Sequence, residues 1–382
     1  MKIAMPVDSH HPIKDGVVDA IDLLRKGLTE RGHEVLLIAP DPGEKDRLEG
    51  VHYISARNSE TFGGYYLPVF PSDSIFKLKE ADPDVINVHG FAFMAARGAV
   101  FRKILKKPLI ITFHTPVWNF MEEFSPVCPK LAVNVSWAYF RRLFKRADIT
   151  VAQTPSIAKE LTENGVRSEI RVIPTGIDTE RFRPGIDGNV IRERYGIADR
   201  KAVIHVGRLS PEKCLDVLIK AFADVEDAVL MIVGKGALEK ELKELTASLG
   251  LSDRVIFTGF VSDEELPLHY AAADAAVSSS PYEAQCLAIM NAMACGLPVA
   301  CPVARAFVDF IEDGVNGVMY DASAGGCSGA IKKSLAADPS MGINARKTAE
   351  GYSVPKTIDA YLALYEEVVE RRRKMIRPPK KV

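Results

Sequence analysis

The chain has 382 residues, 47% of them hydrophobic and 26% charged, with a formal net charge of −1. That length exceeds one ordinary core, so two domains of about 180 residues are expected, and the apolar content excludes global disorder. A near-neutral charge removes any bulk pull toward nucleic acid, and no apolar run approaches the ~18 residues of a membrane-spanning helix. Six cysteines (Cys128, Cys214, Cys286, Cys295, Cys301, Cys327) show neither a Cys-x-x-Cys pair nor zinc spacing. They read as reduced thiols of a cytoplasmic protein. Met1-Lys-Ile-Ala-Met-Pro6 reads as a first strand, because no apolar stretch of a signal peptide follows it.

Short apolar runs alternate with amphipathic helices, which predicts a mostly parallel sheet covered on both faces. Ile3–Val7 is followed by a helix carrying Val17, Val18, Ile21, Leu24 and Leu28 on one face. Strands are expected at 35–38, 85–88, 109–113 and 149–152. Val172-Ile-Pro-Thr-Gly-Ile-Asp-Thr-Glu-Arg-Phe-Arg-Pro184 then reads as a linker, with two prolines and a glycine, and puts the domain boundary near residue 176. The pattern restarts with strands at 202–206, 229–233, 255–257, 275–277 and 299–300. A long helix over about 358–375 ends in basic residues. The expectation is an α/β protein of two Rossmann-like domains, 1–176 and 177–357, whose strand ends face a shared cleft.

The segment 278–299 is the most informative. A short turn brings Glu283 toward the mouth of a helix that runs through Leu287, Met290, Met293 and Ala294 and stops at Gly296 and Pro298. Unpaired N–H groups at such a helix start suit a phosphate. Asn291 lies eight residues beyond Glu283, about 12 Å along a helix at ~1.5 Å per residue. The two side chains would then touch separate parts of one elongated ligand.

Val206-Gly-Arg-Leu-Ser-Pro-Glu-Lys213 follows a strand and opens a helix. Arg208 and Lys213 on that turn suit a diphosphate leaving group without a metal, against the plainer reading of surface charges on a turn. Ile232-Val-Gly-Lys-Gly236, with Gly234, is weak by itself and equally a tight turn. Pro12-Ile-Lys-Asp-Gly-Val17 precedes the first helix, where Gly16 allows close backbone approach or simply makes a turn. His89 and His114 both end strands at the expected cleft edge, and His114 is the candidate orienter at a reacting centre. Asp82-Pro-Asp84 mimics a metal-holding Asp-x-Asp but sits at the wrong end of its strand, so no metal is expected.

The segment 283–299 resembles the donor-binding signature of retaining, GT-B-fold glycosyltransferases of family 4, Glu-x7-Glu followed by Ala-Met-Ala-Cys-Gly-x-Pro-Val. Asn291 stands in place of the second Glu, and Cys214 and Cys286 stand where glycines are usual. The resemblance implies that Glu283 contacts the donor sugar, Asn291 the ribose, and Arg208 and Lys213 the departing diphosphate. It also implies donor contacts from Gly16, Gly207, Gly234, Gly259, Gln285, Cys286 and Leu287. His114 would touch the donor sugar, and His89 would line the acceptor side or pack in the wall.

The implied reaction moves a hexosyl group from a nucleotide-diphosphate sugar to an acceptor hydroxyl with retention. No second carboxylate is evident for double displacement, so front-face substitution without metal or other cofactor is the expected route. The N-terminal domain would bind the acceptor, the C-terminal one the donor, and helix 358–382 would pack back on the N-terminal domain.

Glu283-Ala-Gln-Cys-Leu287 and the stretch His89–Trp118 are similar to the glycolipid-synthase branch. Basic-apolar segments at 101–107 and 137–146 suit an anionic membrane surface as well as they suit ordinary surface helices. A membrane lipid is thus the expected acceptor, and the protein would be peripheral on the inner membrane face. An inositol phosphate or polysaccharide acceptor, or an impaired nucleotide-sugar-binding protein, remains open. So does redox coupling between Cys214 and Cys286.

Overall fold

A computed structural model describes residues 1–59, 65–69, 72–90, 92–114, 129–197 and 199–376. The stretch 115–118 of the motif around His114, Cys128 and the tail 377–382 lie outside the described residues. The chain divides into two compact units. Unit 1 comprises Met1–Gly176 with Val354–Val382, and unit 2 comprises Ile177–Ser353.

Unit 1 carries β1 (Lys2–Pro6), β2 (Glu34–Pro40), β3 (Val51–Ile54), β4 (Ala56–Ser59), β5 (Tyr65–Pro68), β6 (Val85–His89), β7 (Leu109–Phe113), β8 (Ile149–Ala152) and β9 (Glu169–Val172). Seven of these form a parallel sheet in the order β3-β2-β1-β6-β7-β8-β9, while β4 and β5 make a separate antiparallel hairpin. The order reverses between β1 and β6, which is the switch point where open α/β sheets bind ligands. Ile3, Met5, Val7, Val85, Ile110, Ile149 and Val151 form one apolar layer, and the C-terminal helix Val354–Ile376 lies in the same core. Ile358, Tyr361, Leu364, Tyr365, Val368 and Val369 are its buried stripe. Burial of each aliphatic member contributes roughly 1.5–3 kcal/mol.

That helix begins at Val354, four residues before the expected start. Pro355 has a backbone pre-set for a first helical turn, and Val354 packs against the unit 1 core. Val172 belongs to β9 rather than to a linker, and the strand is short and half-exposed, without an apolar run to mark it.

Unit 2 carries β10 (Lys201–Val206), β11 (Ala228–Val233), β12 (Val255–Gly259), β13 (Ala275–Val277), β14 (Val299–Pro302) and β15 (Val318–Tyr320). All are parallel in the order β12-β11-β10-β13-β14-β15, with the reversal between β10 and β13. Successive side chains alternate between two cores. Ala202, Ile204, Val229, Met231 and Val233 face one, and Val203, Leu230 and Ile232 face the other. Both faces are covered, so these strands read as continuous apolar runs rather than as alternation.

Candidate active site

In unit 2 the loops that leave β10 and β13 bring together residues 70 positions apart. Lys213 Nζ lies 2.6 Å from Glu283 Oε1 in a pair whose side chains are only 21% and 13% exposed. Burial pulls the lysine's pKa down, but Glu283 and its neighbours more than offset this, and the net shift is upward. Lys213 is therefore a fixed cation. Ser279 Oγ donates to the Lys213 carbonyl at 2.7 Å and ties the two loops together. Arg208 is exposed beside Glu212, with 3.3 Å between Nη2 and Oε1, and Ser210 donates to the same carboxylate at 2.6 Å.

The expected glycines meet here as well. Gly207 N donates to Val233 O at 3.0 Å, and Gly234 N donates to Gly259 O at 2.9 Å. Gly234 has φ +138°, and a Cβ there would lie 1.9 Å from Gly207 O, so only glycine fits. Gln285 is buried, and Leu287 opens the helix Leu287–Ala294. Glu283 precedes that helix by four residues instead of standing at its mouth. Asn291 is therefore about 6 Å beyond the helix start at ~1.5 Å per residue, and helical rise does not set its separation from Glu283, because residues 283–286 are not helical.

Cys214 (φ 49°, ψ 41°) and Cys286 (φ 62°, ψ 73°) are both left-handed and both precede eight-residue helices, and neither side chain caps its helix. The usual glycines at these positions are explained by that backbone, which costs a non-glycine residue ~1–2 kcal/mol. Cys214→Gly is expected to raise stability by about 0.5–1 kcal/mol, after the extra freedom of glycine in the unfolded chain is offset. Urea melts of wild type and variant decide the matter, and an equal or lower midpoint would count against the strain. Both cysteines are free thiols. Burial, aided by Glu283, pushes the Cys286 thiol up to about 12, so it stays protonated near neutrality and is a poor redox partner for Cys214.

His205, at the end of β10, was not anticipated. Its Nδ1 lies 3.2 Å from Val277 O, which only accepts, so the proton sits on Nδ1. The Nε2 lone pair is then buried without a partner among the described residues, 3.2 Å from where a Gly207 Cβ would be. Burial first, then the Lys213 charge, lowers its pKa to about 4. A polar residue two positions before a strand-end glycine was the available signal.

In unit 1 the ends of β6, β7 and β8 align three polar side chains. Gln153 Nε2 lies 3.3 Å from His114 Nδ1, and His114 Nε2 lies 3.0 Å from His89 Nδ1. With the Gln153 amide donating, His114 carries its proton on Nε2 and His89 carries its own on a buried Nε2 without a partner among the described residues. Both imidazoles line a cavity of about 20 Å³ together with Thr175, Thr357 and Tyr361, which is room for a single water. Burial lowers the pKa of His114 to about 4, against a small opposing effect of Asp15, and takes His89 well below its ordinary value. Both rings are neutral near pH 7.

The first helix, Gly16–Glu30, is already capped. Asp15 accepts from Val17 N and Val18 N at 2.9 and 3.0 Å, and from Tyr65 Oη at 2.7 Å. A carboxylate thus occupies the helix start next to Gly16. Asp82 pairs with Lys107 at 2.8 Å and Asp84 accepts from Lys2 N at 2.9 Å, at the amino end of β6, so both carboxylates are structural.

Two doubly wound sheets with polar loops at their switch points define a protein of the GT-B class. The same fold is found in HepE from Anabaena in complex with UDP, at a TM-score of 0.79 and 23% identity over 96% of this chain and all of that one. A family described as "Glycosyltransferase Family 4" matches residues 14–181, and "Glycosyl transferases group 1" matches residues 188–348. The chain belongs to the family 4 glycosyltransferases. It is 28% identical over 381 residues to a GDP-mannose-dependent alpha-mannosyltransferase of Mycolicibacterium smegmatis, covering 97% of this chain and 99% of that protein. It is 29% identical over 356 residues to an alpha-monoglucosyldiacylglycerol synthase of Streptococcus pneumoniae, covering 89% and 80% respectively. The protein is a glycosyltransferase.

Proposed function

We propose that this enzyme moves a hexosyl group from a nucleoside-diphosphate sugar, held by unit 2, to a hydroxyl of a membrane lipid or glycolipid, with retention of configuration. The observation that carries the donor half is the Lys213–Glu283 pair at the β10/β13 switch point. The ammonium is a fixed charge for the leaving diphosphate, Arg208 adds a second cation, and Glu283 is free to accept from a sugar hydroxyl once the diphosphate takes over its lysine. In unit 1, His114 is a neutral ring on the acceptor side, held in a fixed orientation because its Nδ1 accepts from Gln153 and its Nε2 proton is given to His89. Transfer proceeds by front-face substitution, and cationic side chains take the place of a diphosphate-bound Mg²⁺ or Mn²⁺. Asn291 keeps one hydrogen bond to the ribose but lacks the charge-assisted grip of a carboxylate.

The lipid acceptor is supported by the relative named for diacylglycerol glucosylation and by the surface of unit 1. Trp137, Phe140, Leu143, Phe144 and Phe101 are buried, so the aromatics of 137–146 other than Tyr139 belong to the core and not to a bilayer-facing stripe. A different set is exposed: Leu131, Val135 and Tyr139 on the helix Pro129–Phe144, and Phe93, Val100 and Ile104 on the helix Phe93–Leu105. Arg102, Lys103, Lys106, Arg146 and Arg372 line a surface pocket of about 350 Å³. Apolar side chains beside a basic pocket suit an anionic lipid surface. No helix among the described residues is long and apolar enough to cross a membrane.

The test is a calorimetric screen of UDP-, GDP- and ADP-sugars, followed by transfer assays on diacylglycerol, phosphatidylinositol and inositol phosphate. One donor should bind, transfer should favour the lipids, the product should keep the anomeric configuration of the donor, and added Mg²⁺ or Mn²⁺ should leave the rate unchanged. Binding of no donor would remove the reading, and binding of a donor without transfer would favour an impaired nucleotide-sugar-binding protein. Preference for inositol phosphate would move the acceptor to the soluble class.

A further inference from the structure

Between β1 and the second turn of the helix Gly16–Glu30, three side chains that have no part in the transfer chemistry converge. His10 Nε2 lies 3.0 Å from Asp22 Oδ1 and His11 Nε2 lies 2.6 Å from Asp22 Oδ2. The donor atoms of the three residues all fall within 4.8 Å of one another. The two imidazoles stand edge-on, with centroids 4.9 Å apart and planes at 85°, so their Nε2 atoms approach the Asp22 carboxylate from different directions. The His10 side chain is fully buried, that of His11 is 22% exposed and that of Asp22 38% exposed. The group is thus anchored at one ligand and open to solvent at another. Burial opposes ionisation of Asp22, but the bonds from His10 and His11 outweigh it and hold the carboxyl below its usual range.

We propose that His10, His11 and Asp22 form a site for one divalent first-row transition-metal ion, with solvent completing the coordination shell. Two imidazoles and one carboxylate are the donor set that suits Zn²⁺ or Co²⁺, whereas Mg²⁺ and Ca²⁺ prefer all-oxygen shells. The ion would replace the two hydrogen bonds to Asp22 with coordinate bonds, each ring then carrying its proton on Nδ1, and would clip the loop that leaves β1 onto the first helix across the 12 positions from His10 to Asp22. That segment leads into Asp15, the cap of the helix. His10 Nδ1 is buried without a partner among the described residues, so no second hydrogen bond from them locks that ring, and affinity is expected to be micromolar rather than nanomolar. The role is structural, and the site stands whether or not the transfer reading does.

The experiment measures metal content, not turnover. Full-length protein is stripped with a chelator, dialysed against Zn²⁺ and analysed for metal per chain, in parallel with His11→Ala and Asp22→Asn. One equivalent is expected in the wild type, with affinity at least ~10-fold weaker in each variant and an upward Tm shift with Zn²⁺ in the wild type alone. Co²⁺ substitution should give d–d absorption without a thiolate charge-transfer band, which separates this site from the cysteines. A wild type that takes up no stoichiometric metal overturns the proposal. So does uptake that survives in either folded variant, or a thiolate band with Co²⁺. If one variant fails to fold, the other variant and the wild-type Co²⁺ spectrum decide the question.

Discussion

Replacing Lys213 by alanine should lower kcat/KM for sugar transfer by about 10²–10³-fold, the effect of removing one well-placed charge-stabilising group from a reaction centre. The same change should destabilise unit 2 by about 1–3 kcal/mol. It leaves the Glu283 carboxylate, only 13% exposed, without its 2.6 Å partner, and the solvent that remains at the site reduces the larger cost of a fully buried charge. A second substitution separates the two effects. In Lys213→Met/Glu283→Gln the unpaired charge is gone, so most of the stability should return while activity stays low. Single- and double-variant urea melts beside initial rates make the cycle. If Lys213→Ala keeps rates near those of the wild type, the diphosphate role assigned to this lysine is wrong. If the double variant is no more stable than Lys213→Ala, the pair is not the buried ion pair described here.

The second large effect concerns acid. His114 and His205 each have a folded pKa of about 4 against 6.5 for the free side chain, in both cases chiefly through burial, and His89 is lowered for the same reason. Depressed histidine values mean that the unfolded chain binds more protons between pH 6.5 and 4. Stability is therefore fully present above pH 6.5 and falls as the pH drops through that window. At pH 4 the loss is on the order of 3 kcal/mol for each of His114 and His205. Urea midpoints measured from pH 7 to pH 4 should show a steep decline in the wild type. A shallower decline is expected in His205→Gln, which cannot charge. Parallel pH curves for the two proteins would show that His205 does not carry this cost. Near pH 7 all three rings are neutral, which is the state the hydrogen-bond assignments at His114 and His205 require.

Much of this molecule was legible before any coordinates. Strands buried on both faces, such as 202–206 and 229–233, are continuous apolar runs, and Gly207, Gly234 and Gly259 mark the turns that leave β10, β11 and β12. Short or half-exposed strands were not legible. β3, each strand of the β4–β5 hairpin, β9 and β15 have three or four residues and no periodicity strong enough to distinguish them from loops. The aromatic-basic pattern at 137–146 suited a membrane surface and an ordinary surface helix equally; Trp137, Phe140 and Phe144 are buried as in the ordinary helix, and a helical stripe in sequence does not say which side the sheet will cover.

The site divides along the same line. Residue types and local spacing by themselves determined that Lys213 and Glu283 lie on turns after strands and that His89 and His114 end strands, while the family resemblance implied that Cys214 and Cys286 stand where glycine is usual. Those are short-range properties, set by backbone geometry and by the period of apolar residues. Only the tertiary structure decided which groups meet. It joined Lys213 to Glu283 across 70 residues, turned the His205 lone pair toward Gly207, threaded Gln153 into the His114–His89 chain and folded His10 and His11 onto Asp22. Such meetings depend on strand order, and strand order is settled by how both faces of each sheet are buried rather than by any local stretch of chain.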